Sequence, residues 1–220
     1  MLTRLLLGLL IVATLSSVRA GSLEDARTLF ASGAFLEASN LASKLNSSAG
    51  FALAARALSE HASQQPVSRR EALYVQCEQF ARRALELNAR NPDGYFELGA
   101  ATGHLGNLRG AGYAFVNGVA GQVKSNFERT LELEPRHTLA LVALGRWHAE
   151  IVARGVAFLF GADAVKVTTL FDRAVASDRA AFSHASSTRG RCSCLDRERN
   201  RERGAGVLEE AVRLEPRDVL

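Results

Sequence analysis

One helix ending is written four times in this chain, and that repetition limits the fold more than any other feature. Ala84-Leu85-Glu86-Leu87-Asn88-Ala89, Thr130-Leu131-Glu132-Leu133-Glu134-Pro135, Ala174-Val175-Ala176-Ser177-Asp178-Arg179 and Ala211-Val212-Arg213-Leu214-Glu215-Pro216 share one pattern. Each sets down a small residue, then an apolar one, then a helix-stopping residue five positions after the small one. Three positions before the small residues stand Ala81, Phe127, Phe171 and Leu208, which completes the i, i+3, i+4 stripe of an amphipathic helix ending at a turn. A short helix with one apolar stripe cannot bury it alone. Units repeated along a chain solve this by stacking on their neighbours.

Composition agrees with helices. Of 220 residues 47% are apolar and 23% charged, with four prolines and one tryptophan, which fits a folded helical chain and excludes disorder as the main state. Lys and Arg number 27 against 23 Asp and Glu, a net charge of +4, of which Arg4 and Arg19 belong to a segment expected to be removed. So small a surplus, with no concentrated basic face, argues against a nucleic-acid partner.

After two of the turns the next helix also repeats: Pro92-Asp93-Gly94-Tyr95-Phe96-Glu97-Leu98-Gly99 leads to Gly106, and Thr138-Leu139-Ala140-Leu141-Val142-Ala143-Leu144-Gly145 leads to His148. In these residues the chain resembles the tetratricopeptide repeat: Tyr95, Leu98 and Gly99 match its first helix, Gly106 its turn, Ala84 and Ala89 the preceding helix end. Leu141, Leu144, Gly145 and Pro135 match a second instance. Ala26 to Leu45, with Gly33, Phe35, Ala38 and Ala42, matches the turn and second helix of an earlier unit. The small residues would let paired helices approach closely while bulky ones fill the space between units. The resemblance implies an all-α, right-handed α-solenoid of about four antiparallel helix pairs. The stopping positions 89, 135, 179 and 216 lie 46, 44 and 37 apart, against about 34 in this repeat. Insertions are therefore expected around Gly106 to Gly121 and Arg154 to Val165. Leu144-Gly145-Arg146-Trp147-His148 with Phe160-Gly161-Ala162-Asp163 also resembles a divergent branch, the regulators of microtubule dynamics and their bacterial exported relatives. A microtubule role would not suit an exported bacterial protein.

Residues 1–20 read as a cleavable signal peptide. Arg4 supplies the positive start, Leu5 to Leu15 is uncharged, and Val18-Arg19-Ala20 ends in the small residue a signal peptidase requires. The apolar run falls short of the roughly 20 residues that span a membrane. Residues 21–220 are then expected as a periplasmic or secreted repeat domain with no stable membrane span. In that oxidising setting three cysteines, Cys77, Cys192 and Cys194, leave at least one without an internal partner. Cys77, among apolar and helix-forming residues, reads as a buried thiol; Cys192-Ser193-Cys194 lacks the second pair of a zinc site.

One segment departs from the pattern. A first helix is due at about 183–196, yet the irregular stretch 183–198 shows no apolar period. Residues 184–195 are either an exposed loop or a passage read out of frame, before a recognisable second helix at Glu202 to Pro216. The chain stops four residues after Pro216, which leaves open whether its C-terminus is complete, since solenoid ends usually carry a polar cap.

Nothing marks a catalyst. His61, His104, His137, His148 and His184 form no H-E-x-x-H pair. His148 and Glu150 face different sides of a helix, and His148 stands where a packing aromatic is expected, as a core or rim histidine. Gly110-Ala111-Gly112 lacks the strand and third glycine of a dinucleotide fingerprint and reads as an inserted turn or close helix contact. No Walker sequence, G-x-S-x-G elbow or distinctive carboxylate pair is present. The Asp196 to Arg203 charge run, like Arg146 with Glu150 at i and i+4, reads as ion pairs on a solvated helix face. No enzyme activity, cofactor or metal is expected.

Surface shape remains. The resemblance places ligand contacts on the first helix of each pair, here at Phe96, Ala100, His104, Val142, Arg146 and Glu150. An aromatic, a cation and an acid along one groove suit an extended peptide or protein segment; packing against an inserted loop is the other reading of these residues. The expected role is a non-catalytic, exported protein-interaction scaffold. The alternative is an accessory protein that binds a small molecule or peptide for a transport system, with Val156 to Phe160 as a pocket wall.

Overall fold

The computed structural model describes residues 21–177. The expected signal segment, His184, Cys192, Cys194, the irregular stretch 183–198, the arginine-rich run and the helix ending at Pro216 lie outside them. Among the described residues the chain is all-helical, ten helices without a strand.

The helices are α1 (Leu23–Ala31), α2 (Phe35–Lys44), α3 (Ser48–Ser63), α4 (Val67–Leu87), α5 (Pro92–Arg109), α6 (Ala111–Val116), α7 (Val119–Leu133), α8 (Thr138–Ala153), α9 (Ala157–Phe160) and α10 (Ala164–Ser177). Four pairs form by packing α1 on α2, α3 on α4, α5 on α7 and α8 on α10. Successive pairs meet through α2 on α3, α4 on α5 and α7 on α8. The short α6 and α9 are inserted within the third and fourth pairs, inside the stretches expected to hold extra residues.

Local chemistry fixes the helix starts. Ser22 and Asp25 form a reciprocal capping box at α1. The Asn91 side chain accepts from the Gly94 N–H, with Pro92 in the first turn of α5. Asn91 also donates to Ser48 Oγ at 2.8 Å, and Ser48 in turn donates to the Ala84 carbonyl at 2.7 Å, so one polar chain ties α3, α4 and α5.

The repeated helix ending has a clear packing role. Its small residues Ala84, Thr130 and Ala174 are each fully buried, with Ala81 and Phe127 buried one turn before the first two. Gly99 and Gly145 work as the sequence suggests. A β-carbon on Gly99 would lie 2.9 Å from the Phe127 ring, and one on Gly145 3.3 Å from the Phe171 ring, so each glycine admits a phenylalanine of its partner helix.

Two expectations fail. Gly106 is not the turn residue; it lies inside α5, where a β-carbon would meet Val119 at 2.7 Å. The chain turns at Gly110, whose φ of +88° suits glycine. Arg146 and Glu150 do not pair either, because Glu150 accepts from Arg154 Nε at 2.6 Å, one turn further on.

Candidate functional site

The six expected groove residues occupy two helices, α5 and α8, and their environments differ. Phe96 is half-buried, its ring 5.6 Å from that of Phe127 and 5.1 Å from that of His137. It therefore packs at the junction of α5, α7 and α8. Val142 rests against the core built by Val119, Val123, Phe127, Leu141, Leu144, Trp147 and Ile151. Ala100 is half-buried, Arg146 is exposed without an ion pair among the described residues, and Glu150 is held by Arg154.

His104 stacks on Tyr74 of α4 with ring centroids 4.4 Å apart. Burial, then the positive charges of Arg146 and Arg70, push its pKa down to about 4, so the imidazole is neutral near pH 7. Arg146 of α8 is thus near enough to His104 of α5 to act on it.

A second group of charges reaches toward the N-terminus, and sequence reasoning missed it. Asp93 and Glu97 lie one turn apart on α5, opposite Arg56 and Glu60 of α3, and Arg27 of α1 also acts on Asp93. Asp93 Oδ1 is 3.2 Å from His137 Nε2. His137 Nδ1 accepts from the Ala140 N–H and caps α8. One neutral tautomer serves both contacts, with Nε2–H donating to Asp93. That hydrogen bond holds the Asp93 carboxyl below its ordinary range, against the opposing effect of burial.

Glu97 differs from its neighbours. It is 4% exposed, yet it has no hydrogen bond or ion pair among the described residues. Burial raises its carboxyl to about 8; Arg56 opposes that rise, while Asp93 and Glu60 add to it. Its field in turn adds to burial in raising the Cys77 thiol, which is 1% exposed in the core as the sequence suggests. No sequence signal marks Glu97, because an acid on an amphipathic helix ordinarily reads as surface.

The remaining candidates are structural. His148 is 1% exposed, and its Nδ1 accepts from the Asp163 N–H, securing the segment after α9 to α8. Val156 and Phe160 pack on the same core, whereas Phe158 and Leu159 are exposed, as are Phe115 and Val116 of α6. No group of three potential metal ligands occurs among the described residues, and no described helix is long and apolar enough to cross a membrane. Comparison of the chain with protein-family models and with curated proteins finds no match to either.

Proposed function

We propose that the protein is a non-catalytic interaction scaffold: a tetratricopeptide-like, right-handed solenoid, exported by its N-terminal signal, that holds a peptide or protein segment along the face of its alternate helices. The observation that carries this reading is two sets of polar groups that share α5: Arg27 of α1 and Arg56 of α3 act on Asp93 and Arg56 on Glu97, and Arg146 of α8 acts on His104. Side chains serving only as a solvated coat would have no reason to gather from helices so far apart in sequence. An extended segment binds by such spaced polar contacts, with half-buried residues such as Ala100 offering apolar surface between them.

Affinity capture from native envelope extract, using the chain from Gly21 to Leu220, tests the reading. Arg146→Ala is the informative variant, since Arg146 is exposed and unpaired and its loss leaves the fold intact. A protein retained by the parent and lost by Arg146→Ala is the expected result; retention unaffected by Arg146→Ala, or no retained protein, would sink it. Phe96→Ala is a poor probe because its ring packs on Phe127 and His137. The exposed Phe158 and Leu159 of α9 favour the second reading, an accessory protein that holds a small molecule or peptide for a transport system. That reading predicts a small molecule released on denaturation.

A further inference from the structure

Resting on the groove reading above, we infer that Glu97 is the receptor for a basic side chain, the ammonium of a lysine or the guanidinium of an arginine, in the bound segment. A carboxyl taken out of water without a hydrogen bond is costly, and such groups in folded proteins ordinarily have a partner. Glu97 is 4% exposed and has none among the described residues. The only fully enclosed side-chain polar atom without a partner there is His148 Nε2. The Glu97 oxygens are therefore nearly, but not completely, enclosed, and the small accessible part of the residue includes them.

Its surroundings select the sign of the ligand. Glu60 and Asp93 face Glu97 from α3 and α5, and Cys77 lies behind it on α4. The cation near it, Arg56, forms no ion pair and has its guanidinium over the Phe30 ring, 5.3 Å from the centroid. Arg27, which acts on Asp93, pairs with Glu24 at 3.5 Å. Acids thus outnumber uncommitted cations. An entering ammonium or guanidinium supplies the missing donors and the opposite charge together. A metal ion is a poor fit, since these carboxylates do not converge into a ligand set.

Three capped alanine pentapeptides with lysine, arginine or norleucine at the centre test this, observed by NMR of protein labelled at glutamate carboxyl carbons and backbone amides. Lysine and arginine peptides should lower the Glu97 titration midpoint from about 8. Their affinity should fall about tenfold per pH unit below that value, because only the ionised carboxylate binds a cation. Norleucine should do neither. Glu97→Gln, nearly isosteric, should bind all three peptides alike without pH dependence. If norleucine binds as tightly as lysine and shifts the Val142 and Arg146 amides, the groove reading stands and this assignment falls, with Glu97 merely hydrated. If no peptide moves either the Glu97 carboxyl or those amides, both fall. The parent protein alone gives these outcomes should Glu97→Gln fail to fold.

Discussion

The two halves of the helical array solve one packing problem with different side chains. From α1 to α4 the fully buried residues are overwhelmingly alanine: Ala26, Ala38, Ala42, Ala54, Ala55, Ala57, Ala62, Ala81 and Ala84 are all at 0% exposure. From α5 to α10 the interior is Val119, Val123, Phe127, Leu141, Leu144, Trp147, Ile151 and Leu170. Alanine lets backbones approach until little space remains. Large side chains hold helices further apart, and glycine then makes room for a ring where they must close. The first half should therefore be sensitive to added volume, the second to its removal.

Trp147→Ala is the strongest way to break this contrast. Trp147 is 3% exposed and donates from Nε1 to the Ala120 carbonyl at 3.0 Å, tying α8 to α7. Its truncation should cost about 3–5 kcal/mol in equilibrium denaturant unfolding. A loss below about 1 kcal/mol would mean that the second half can collapse around the void and is not held by its large side chains.

Acid should act chiefly on the second half, through His104 of α5 and His148 of α8. Burial, with Arg146 and Arg70 near His104 and Lys166 and Lys124 near His148, lowers both imidazoles to about 4. Both are neutral in the folded state, while the unfolded chain takes up protons at about 6.5. The histidines' contribution to stability is thus fully present above pH 6.5, is lost as pH drops toward about 4, and then levels off. Glu97, raised from 4.5 to about 8 by folding, acts in the opposite sense and adds stability as pH falls through that range. His148, at 1% exposure, contributes up to about 3 kcal/mol of the histidine loss. His148→Phe should make the change in unfolding midpoint between pH 6.5 and about 4 more favourable than the parent's, by removing one of the two histidine drops. A change equal to the parent's would remove His148 from the account.

Ala55→Leu tests the alanine half. Ala55 is fully enclosed against Ala81 and Leu98, and extra methylenes in such a place cost about 1–3 kcal/mol. A neutral result would show that α3 and α4 are less tightly closed than the alanines suggest.

The contrast also explains what the sequence revealed. The endings of α4 and α7 were legible because a small residue, an apolar one and a stop recur in order, and the small residues Ala84 and Thr130, like Ala174 of α10, are buried accordingly. Helix α3 was not legible: Ala52, Ala54, Ala55, Ala57 and Ala62 are buried on several sides, so no single apolar stripe announces it. Gly106 and Gly110 look alike in sequence, and only the backbone distinguishes helix contact from turn. At the candidate site, exposed Arg146 follows from its position in the repeat. Asp93 with His137, 44 residues apart, and the solitary Glu97 depend on how pairs meet, which no local pattern encodes.

Smaller effects sharpen the comparison within the second half. Alanine is favoured over glycine in a helix by about 1 kcal/mol, so steric room decides the sign at each glycine. At Gly99 a β-carbon would be 2.9 Å from the Phe127 ring and 3.1 Å from Asn126 Cβ, with Phe127 only 5% exposed and confined by Phe96. Gly99→Ala should destabilise by about 1 kcal/mol. At Gly145 the nearest atom is 3.3 Å away on the half-buried Phe171 ring, which can yield. Gly145→Ala should be neutral or stabilise by about 0.5 kcal/mol. Equal signs would show that ring mobility, not spacing, controls the closure of these pairs.

Arg154→Ala should have the smallest effect, and a double-mutant cycle makes it informative. Arg154 is 39% exposed, and solvent-exposed pairs at i and i+4 contribute about 0.5 kcal/mol or less. Once Arg154 is gone, Glu150 is free to turn toward Arg146, one turn earlier, restoring the pairing that spacing alone suggests and offsetting part of the loss. Arg146→Ala should therefore leave the parent's stability unchanged, since Arg146 has no ion pair there, but cost about 0.3 kcal/mol in the Arg154→Ala background. If the two substitutions are strictly additive, Glu150 does not change partners. Arg146 would then remain unpaired in both backgrounds, as the proposed binding role requires of it.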